Sequence, residues 1–228
     1  MRDMTMAPEC KKLSVAVVDL GMGNLFSIKH ACNHVGLEVV LTSSVEEISN
    51  ADAIILPGMG AFGDAMSALE SLSLIDILQE SVRLKKPLFG ICLGMQIFMT
   101  YGTEFGYHRG LGFIKGKVER FQNPMNDNIR LKVPQNGWNK LHRTSPDSWV
   151  GTPLCNIPDE VYMYFNHSYY VIPESPDVAI ATTNYGDCKF CSALKKENLV
   201  GLQCHPERSG KPGLAVYRNF AGMIEQYM

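Results

Sequence analysis

Apolar residues in the first hundred positions come in short unbroken runs. Each run leads into a turn and then into apolar residues at helical spacing. "LSVAVVDL" is such a run, rich in β-branched side chains, as expected of a strand covered on both faces. After "GMGN", Leu25, Ile28, Ala31, Cys32 and Val35 recur along one helix face, and Gly36 marks its end. "LEVVLTS" predicts a second strand, and Ser44-Val45-Glu46-Glu47 opens a short helix as a capping box. "DAIILPGMGAFGDAM" repeats strand, glycine loop and helix. "SLIDILQESVRLKK" predicts a further helix and "PLFGI" a fourth buried strand.

From about Gly112 the rhythm changes. "GFIKGKVERF", "IRLKV", "VYMYFNHSYYV", "DVAIATTNYG" and "LVGLQCHPE" read as shorter strands between turn residues, several of them alternating. "GLAVYRNFAGMIEQY" predicts a closing helix. No low-complexity linker or internal repeat intervenes. The expected fold is α/β: a single doubly wound, mostly parallel sheet flanked by helices, with antiparallel strands added in the C-terminal half. A tail over 1–12 precedes one domain over 13–228.

Composition narrows the function classes. The 228 residues are 46% hydrophobic, enough for a full core. A net charge of -2 offers no electrostatic reason to expect nucleic acid or an anionic membrane as partner. The apolar runs are too short to span a bilayer. "MRDMTMAPECKK" lacks the apolar segment of a signal peptide, so a cytoplasmic chain is expected. Seven scattered cysteines, an odd count, read as reduced thiols.

In doubly wound sheets, ligands bind beyond the carboxyl ends of the strands. Gly58-Met59-Gly60, Cys92 and His205-Pro206-Glu207 all fall there. The strand-turn-helix around Cys92, with Gly90 and Gly94 to either side, has the form of a nucleophile elbow with cysteine in place of serine. A helix N-terminus next to the thiol favours its reactive thiolate form. In "LVGLQCHPE", Val200, Leu202 and Cys204 share one strand face and His205 takes the other. Pro206 biases the chain to stay extended, which would put Glu207 on the His205 side, where it can orient the imidazole. Backbone N–H groups of Gly58, Met59, Gly60 and Leu93 are candidates for an oxyanion hole, although Gly58 to Gly60 also suits an ordinary βα turn.

Other patterns carry less. Cys188 and Cys191 followed by Cys204 and His205 superficially resemble a zinc motif, but adjacent strand residues point to opposite faces, so no metal site is expected. "GMGN" lacks the spacing of a dinucleotide fingerprint, and no cofactor is expected.

"GICLGMQ" with a distant "HPE" resembles the class I, triad-type glutamine amidotransferases. "VVDLGMGNLFSIKHA", "LPGMGAFGDAM", "GLGFIKGKVERF", "VPQNGWN", "YFNHSYYV" and "HPERSGKPGL" narrow the resemblance to the glutaminase subunits of imidazole glycerol phosphate synthases. It implies that Cys92 attacks the side-chain amide of glutamine, that His205 shuttles the proton and that Glu207 orients the imidazole. Gly60, Gln96, Ser168 and Tyr169 would hold glutamine. Trp138 and Asn139 would meet a (β/α)8-barrel cyclase that receives the ammonia and makes imidazole glycerol phosphate for histidine biosynthesis. Asn136 and Asn166 stand where this branch usually has apolar residues. An alternative therefore stays open, in which a paralogous amidotransferase with a cyclase-like partner amidates a surface-polysaccharide sugar.

Overall fold

A computed structural model describes residues 12–228, so most of the tail expected over 1–12 lies outside the described residues. The first half is the predicted alternation: β1 (Ser14–Val18), α1 (Leu25–His34), β2 (Glu38–Thr42), α2 (Val45–Asn50), β3 (Ala53–Leu56), α3 (Phe62–Ser71), α4 (Ile75–Arg83) and β4 (Leu88–Ile91). A four-residue helix, α5 (Leu93–Gln96), follows β4 directly. Half of the expected capping box forms: the Ser44 hydroxyl accepts from the Glu47 N–H at 3.4 Å, but the Ser44 N–H donates to Thr42 Oγ1 at 2.8 Å. "GMGN" ends as a helix cap, the Asn24 side chain accepting from the Ser27 N–H.

Then come the short β5 (Tyr101–Gly102) and β6 (His108–Arg109), β7 (Gly116–Arg120) and the small hairpin of β8 (Met125–Asn126) and β9 (Ile129–Arg130). The longer β10 (Gln135–Arg143), β11 (Val161–His167), β12 (Tyr169–Pro173), β13 (Ala179–Tyr185), β14 (Cys188–Lys196) and β15 (Leu199–Leu202) lead to the closing α6 (Gly210–Glu225).

The main sheet has thirteen strands, with its path running β2-β1-β3-β4-β15-β14-β12-β7-β5-β6. β2, β1, β3, β4 and β15 are mutually parallel, and β15 turns the sheet antiparallel at β14. β13 joins β14, and β10 bridges β13 and β11. Successive residues of the parallel strands feed two cores. Val15, Val17, Ile55 and Phe89 face α1 and α6, whereas Ala16, Val18, Ile54 and Leu88 face α2, α3 and α4. Burial on both sides is why these strands read as unbroken apolar runs.

Three local expectations change. "IRLKV" contributes only Ile129–Arg130 to a strand, in the two-stranded hairpin apart from the main sheet. "VYMYFNHSYYV" is two strands, because the chain bends at Ser168 between β11 and β12. The sequence pattern also passed over β10 and β14. The Asn-Gly pair inside β10 reads as a turn, and the run of buried residues within β14 removes its alternation.

Candidate active site

The register of two neighbouring strands assembles the site. β4 and β15 lie side by side in parallel, with Ile91 opposite Leu202, so the chain leaves both strands at one level. The Cys92 N–H donates to the Leu202 carbonyl at 2.8 Å and closes that junction. Cys92 itself has φ 54° and ψ -108°. Such a backbone in a residue with a Cβ costs on the order of 1–3 kcal/mol and turns the side chain sharply out of the strand line.

Gly90 and Gly94 have ordinary backbone angles, so the bend is carried by Cys92 and not by its glycines. Gly94 serves close approach instead: a Cβ there would lie 1.7 Å from the Leu56 carbonyl oxygen at the end of β3. The loop after β3 leans on the elbow in the same way. A Cβ on Gly58 would sit 2.9 Å from the Leu93 Cβ, and Gly60 has φ +102°.

His205 follows β15, and its N–H donates to the Tyr164 carbonyl at 2.8 Å. The chain does not stay extended here. Pro206–Arg208 form a 3-10 turn, and this turn, not an extended backbone, carries Glu207 back to the imidazole. Glu207 Oε1 lies 2.9 Å from His205 Nδ1, with both side chains almost wholly buried. Cys92 is the other group that acts on the imidazole. Burial, the largest influence, pulls His205 down. The charge of Cys92, hydrogen bonds to Cys92 and Glu207, and the Glu207 charge outweigh it and hold the imidazole at about 10. These neighbours favour the protonated imidazole over the neutral one.

Cys92 opens onto a cavity of about 240 Å³ whose wall includes Met59, Gly60, Leu93, Gln96, Ser168 and Tyr169. Gly58 is set back against Leu93, outside that wall. The Tyr169 carbonyl accepts from Gln96 Nε2 at 2.8 Å and lies 2.8 Å from His167 Nδ1. Trp138 lies apart from the cavity wall, is 56% exposed and meets the Tyr164 ring edge-on. Asn139 is engaged within the chain, donating to the Asn184 carbonyl at 2.7 Å and accepting from the Lys140 N–H. The six described cysteines are free, and no cluster of His, Cys, Asp and Glu among the described residues is arranged for a metal ion. No helix among them is long and apolar enough to cross a membrane.

Three further residues belong to this site and were not singled out from the sequence. Glu104 brings a carboxylate to the cavity wall while its Oε2 accepts from the Phe62 N–H at 2.8 Å. Burial holds its carboxyl above the usual range, against that hydrogen bond. Nothing periodic in the surrounding loop marks it. Gln203 touches Cys92 Sγ, and its place on the His205 side of the strand alternation could have revealed it. His167 is buried, and burial lowers its imidazole to about 3.

The unfolded chain protonates His167 first. Its contribution to stability is therefore complete above 6.5 and is lost as pH falls towards 3. Unfolding free energies from urea titrations across that window should drop more for the wild type than for His167→Gln. The difference should reach on the order of a few kcal/mol. Parallel pH profiles would refute the assignment.

The sequence model of the family described as Glutamine amidotransferase class-I matches residues 16–223. The chain belongs to the class-I glutamine amidotransferases. Among relatives of this amidotransferase, subunit HisH 1 of imidazole glycerol phosphate synthase from Legionella pneumophila (strain Lens) is 41% identical over 208 residues, 91% of this chain and 98% of the relative. Subunit HisH from Dehalococcoides mccartyi is 43% identical over 210 residues, 92% and 97% of the two chains. These likenesses place the amidotransferase in the HisH branch.

Solved structures of the same fold include PurLQS from Thermotoga maritima, with a TM-score of 0.67 at 19% identity, covering 93% of this chain and 99% of that one. The glutaminase domain of Trypanosoma brucei CTPS with bound acivicin gives 0.66 at 16%, covering 94% of each chain.

Proposed function

We propose that this amidotransferase is the glutaminase subunit of an imidazole glycerol phosphate synthase in the cytoplasm, hydrolysing glutamine and passing ammonia to a (β/α)8-barrel cyclase for histidine biosynthesis. The observation that carries the chemistry is the convergence of Cys92, His205 and Glu207 beside a cavity of amino-acid size. The partner and pathway are supported by the names of the HisH relatives.

Cys92 Sγ attacks the glutamine side-chain carbonyl carbon, and the C=O electrons move onto oxygen. N–H groups at Leu93 and, in the loop after β3, at Met59 and Gly60 stabilise that oxyanion. The proton held by His205 goes to the departing nitrogen, the C–N bond breaks, and ammonia leaves a glutamyl thioester. Water, giving its proton to His205, then cleaves the thioester to glutamate and restores Sγ. Glu207 accepts from Nδ1–H throughout and keeps Nε2 towards the reacting atoms.

Glutamine's own charges explain the cavity wall. Gln96 spends both amide N–H bonds on the Tyr169 carbonyl and Gln203, so it offers the substrate only its oxygen. Together with the Glu104 carboxylate, that oxygen suits the α-ammonium of glutamine. Ser168 adds a hydroxyl, and Tyr169 acts chiefly by anchoring Gln96. The exposed Trp138, with Tyr164 behind it and the Arg208 guanidinium 4.4 Å over the Tyr164 ring, forms the docking surface for the barrel. Asn136 accepts from the Tyr164 hydroxyl at 2.7 Å beside that surface. A polar contact there favours, as a second reading, a paralogous cyclase-like partner that amidates a surface sugar.

The test is to purify the chain with whatever barrel subunit it captures and to follow glutamate release and amidated product together. Histidine-pathway product in step with glutamate supports the first reading, an amidated sugar supports the second, and no glutamate from the intact complex overturns both. In the same assay Glu104→Gln should raise the KM for glutamine about 10- to 100-fold, as expected for a lost charge-assisted contact, with kcat nearly unchanged. An unchanged KM would remove Glu104 from the ammonium site.

A further inference from the structure

We propose that Gln203 positions the Cys92 sulfur, donating an amide N–H to Sγ, and that a relay through Gln96 sets which way that amide faces. The inference deepens the proposed reading and rests on Cys92 being the nucleophile. Gln203 is fully buried, and its Nε2 lies 3.5 Å from Sγ. The two ends of a carboxamide are almost the same shape, so only hydrogen-bond partners decide their orientation.

Here the decision begins at a group that can only accept, the Tyr169 carbonyl. Gln96 Nε2 is 2.8 Å from it, which requires the NH2 end of Gln96 at that position. The second N–H of the same NH2 points to Gln203 Oε1 at 3.0 Å. Gln203 must then present its own NH2 to the sulfur. The relay thus runs from β12 through α5 to the residue that follows β15.

Register makes the contact unavoidable. With Ile91 opposite Leu202, the residues next in line are Cys92 and Gln203. Sγ is thereby placed among the Gln203 amide, the His205 imidazole and, at 4.0 Å, the Asn166 carbonyl. Of these, the carbonyl can only accept a proton, and the imidazole gives its proton away during turnover. Gln203 is the fixed donor. A donor to sulfur favours its charged form and holds it in one rotamer as the imidazole changes state.

The test uses the folded chain, with iodoacetamide as the probe and peptide mapping to separate Cys92 from Cys155. In Gln203→Leu, alkylation of Cys92 at neutral pH should slow about tenfold, the size expected for one hydrogen bond to a charged partner. The rate at Cys155 should not change. In the complex, kcat for glutamine should fall by a similar factor with KM unchanged. Gln96→Leu, which leaves Gln203 in place but frees its amide to turn, should slow Cys92 alkylation in the same direction. Gln203→Met, closer in volume, serves if the leucine variant does not fold. Wild-type alkylation of Cys92 in a folded Gln203 variant would overturn the proposal. Because alkylation needs no glutamine, this arm stands apart from the glutaminase reading. Hydrolysis by Cys92→Ala would sink that reading and leave the hydrogen bond to be judged by alkylation alone.

Discussion

Cys92→Ala is expected to abolish glutamine-dependent turnover, by about 10⁴-fold or more, while the complex still works on added ammonium salts. The reason for the split is chemical. Without sulfur there is no thioester route to ammonia, whereas externally supplied ammonia reaches the acceptor without passing through Cys92. The same variant should change His205. Cys92 supplies two of the influences that raise the imidazole, its charge and its hydrogen bond, and burial remains when they are gone. By NMR, His205 should therefore lose its proton well below the value of about 10 that it has in the wild type. Loss of both activities in a folded variant would make Cys92 a structural residue. An unmoved His205 titration would separate the imidazole from the sulfur.

Gly94→Ala should be among the most damaging single methyl additions in the chain. The added Cβ would stand 1.7 Å from the Leu56 oxygen and 2.7 Å from its carbonyl carbon. Neither is the tip of a flexible side chain. Leu56 ends β3, which is hydrogen-bonded between β1 and β4, so the obstacle cannot swing aside. The elbow itself must move or the sheet must open, at about 3 kcal/mol or more. A control lies in α6: at Gly222 a Cβ meets nothing within 4 Å, and Gly222→Ala should stabilise by up to about 1 kcal/mol through helix propensity. Urea unfolding of the two variants beside the wild type tests the pair. A Gly94→Ala midpoint equal to the wild type would contradict the packing account.

Much of this molecule was legible in one dimension because the relevant forces are local or periodic. Burial on both faces makes β1, β3 and β4 unbroken apolar runs, and the Ser44 hydroxyl caps the start of α2 through a contact within one turn. The elbow at Cys92 and the His205–Glu207 pair also announce themselves, since both are built from residues adjacent or nearly adjacent in the chain. Even there, the means differed: a 3-10 turn rather than an extended strand brings Glu207 to the ring, and the strain at the elbow sits on Cys92 rather than on its glycines.

What the chain alone could not decide is which distant segments stand beside one another. Nothing periodic says that β15 pairs with β4, yet that parallel register places Gln203 against Cys92 across 111 residues of sequence. Glu104 reaches the cavity from a loop without pattern, held by the N–H of Phe62 at the start of α3. Apolar spacing records how each segment meets the core. Strand order, and the polar contacts it creates at the strand ends, come from the packing of all the segments together, and the chemistry of the site arises at that level.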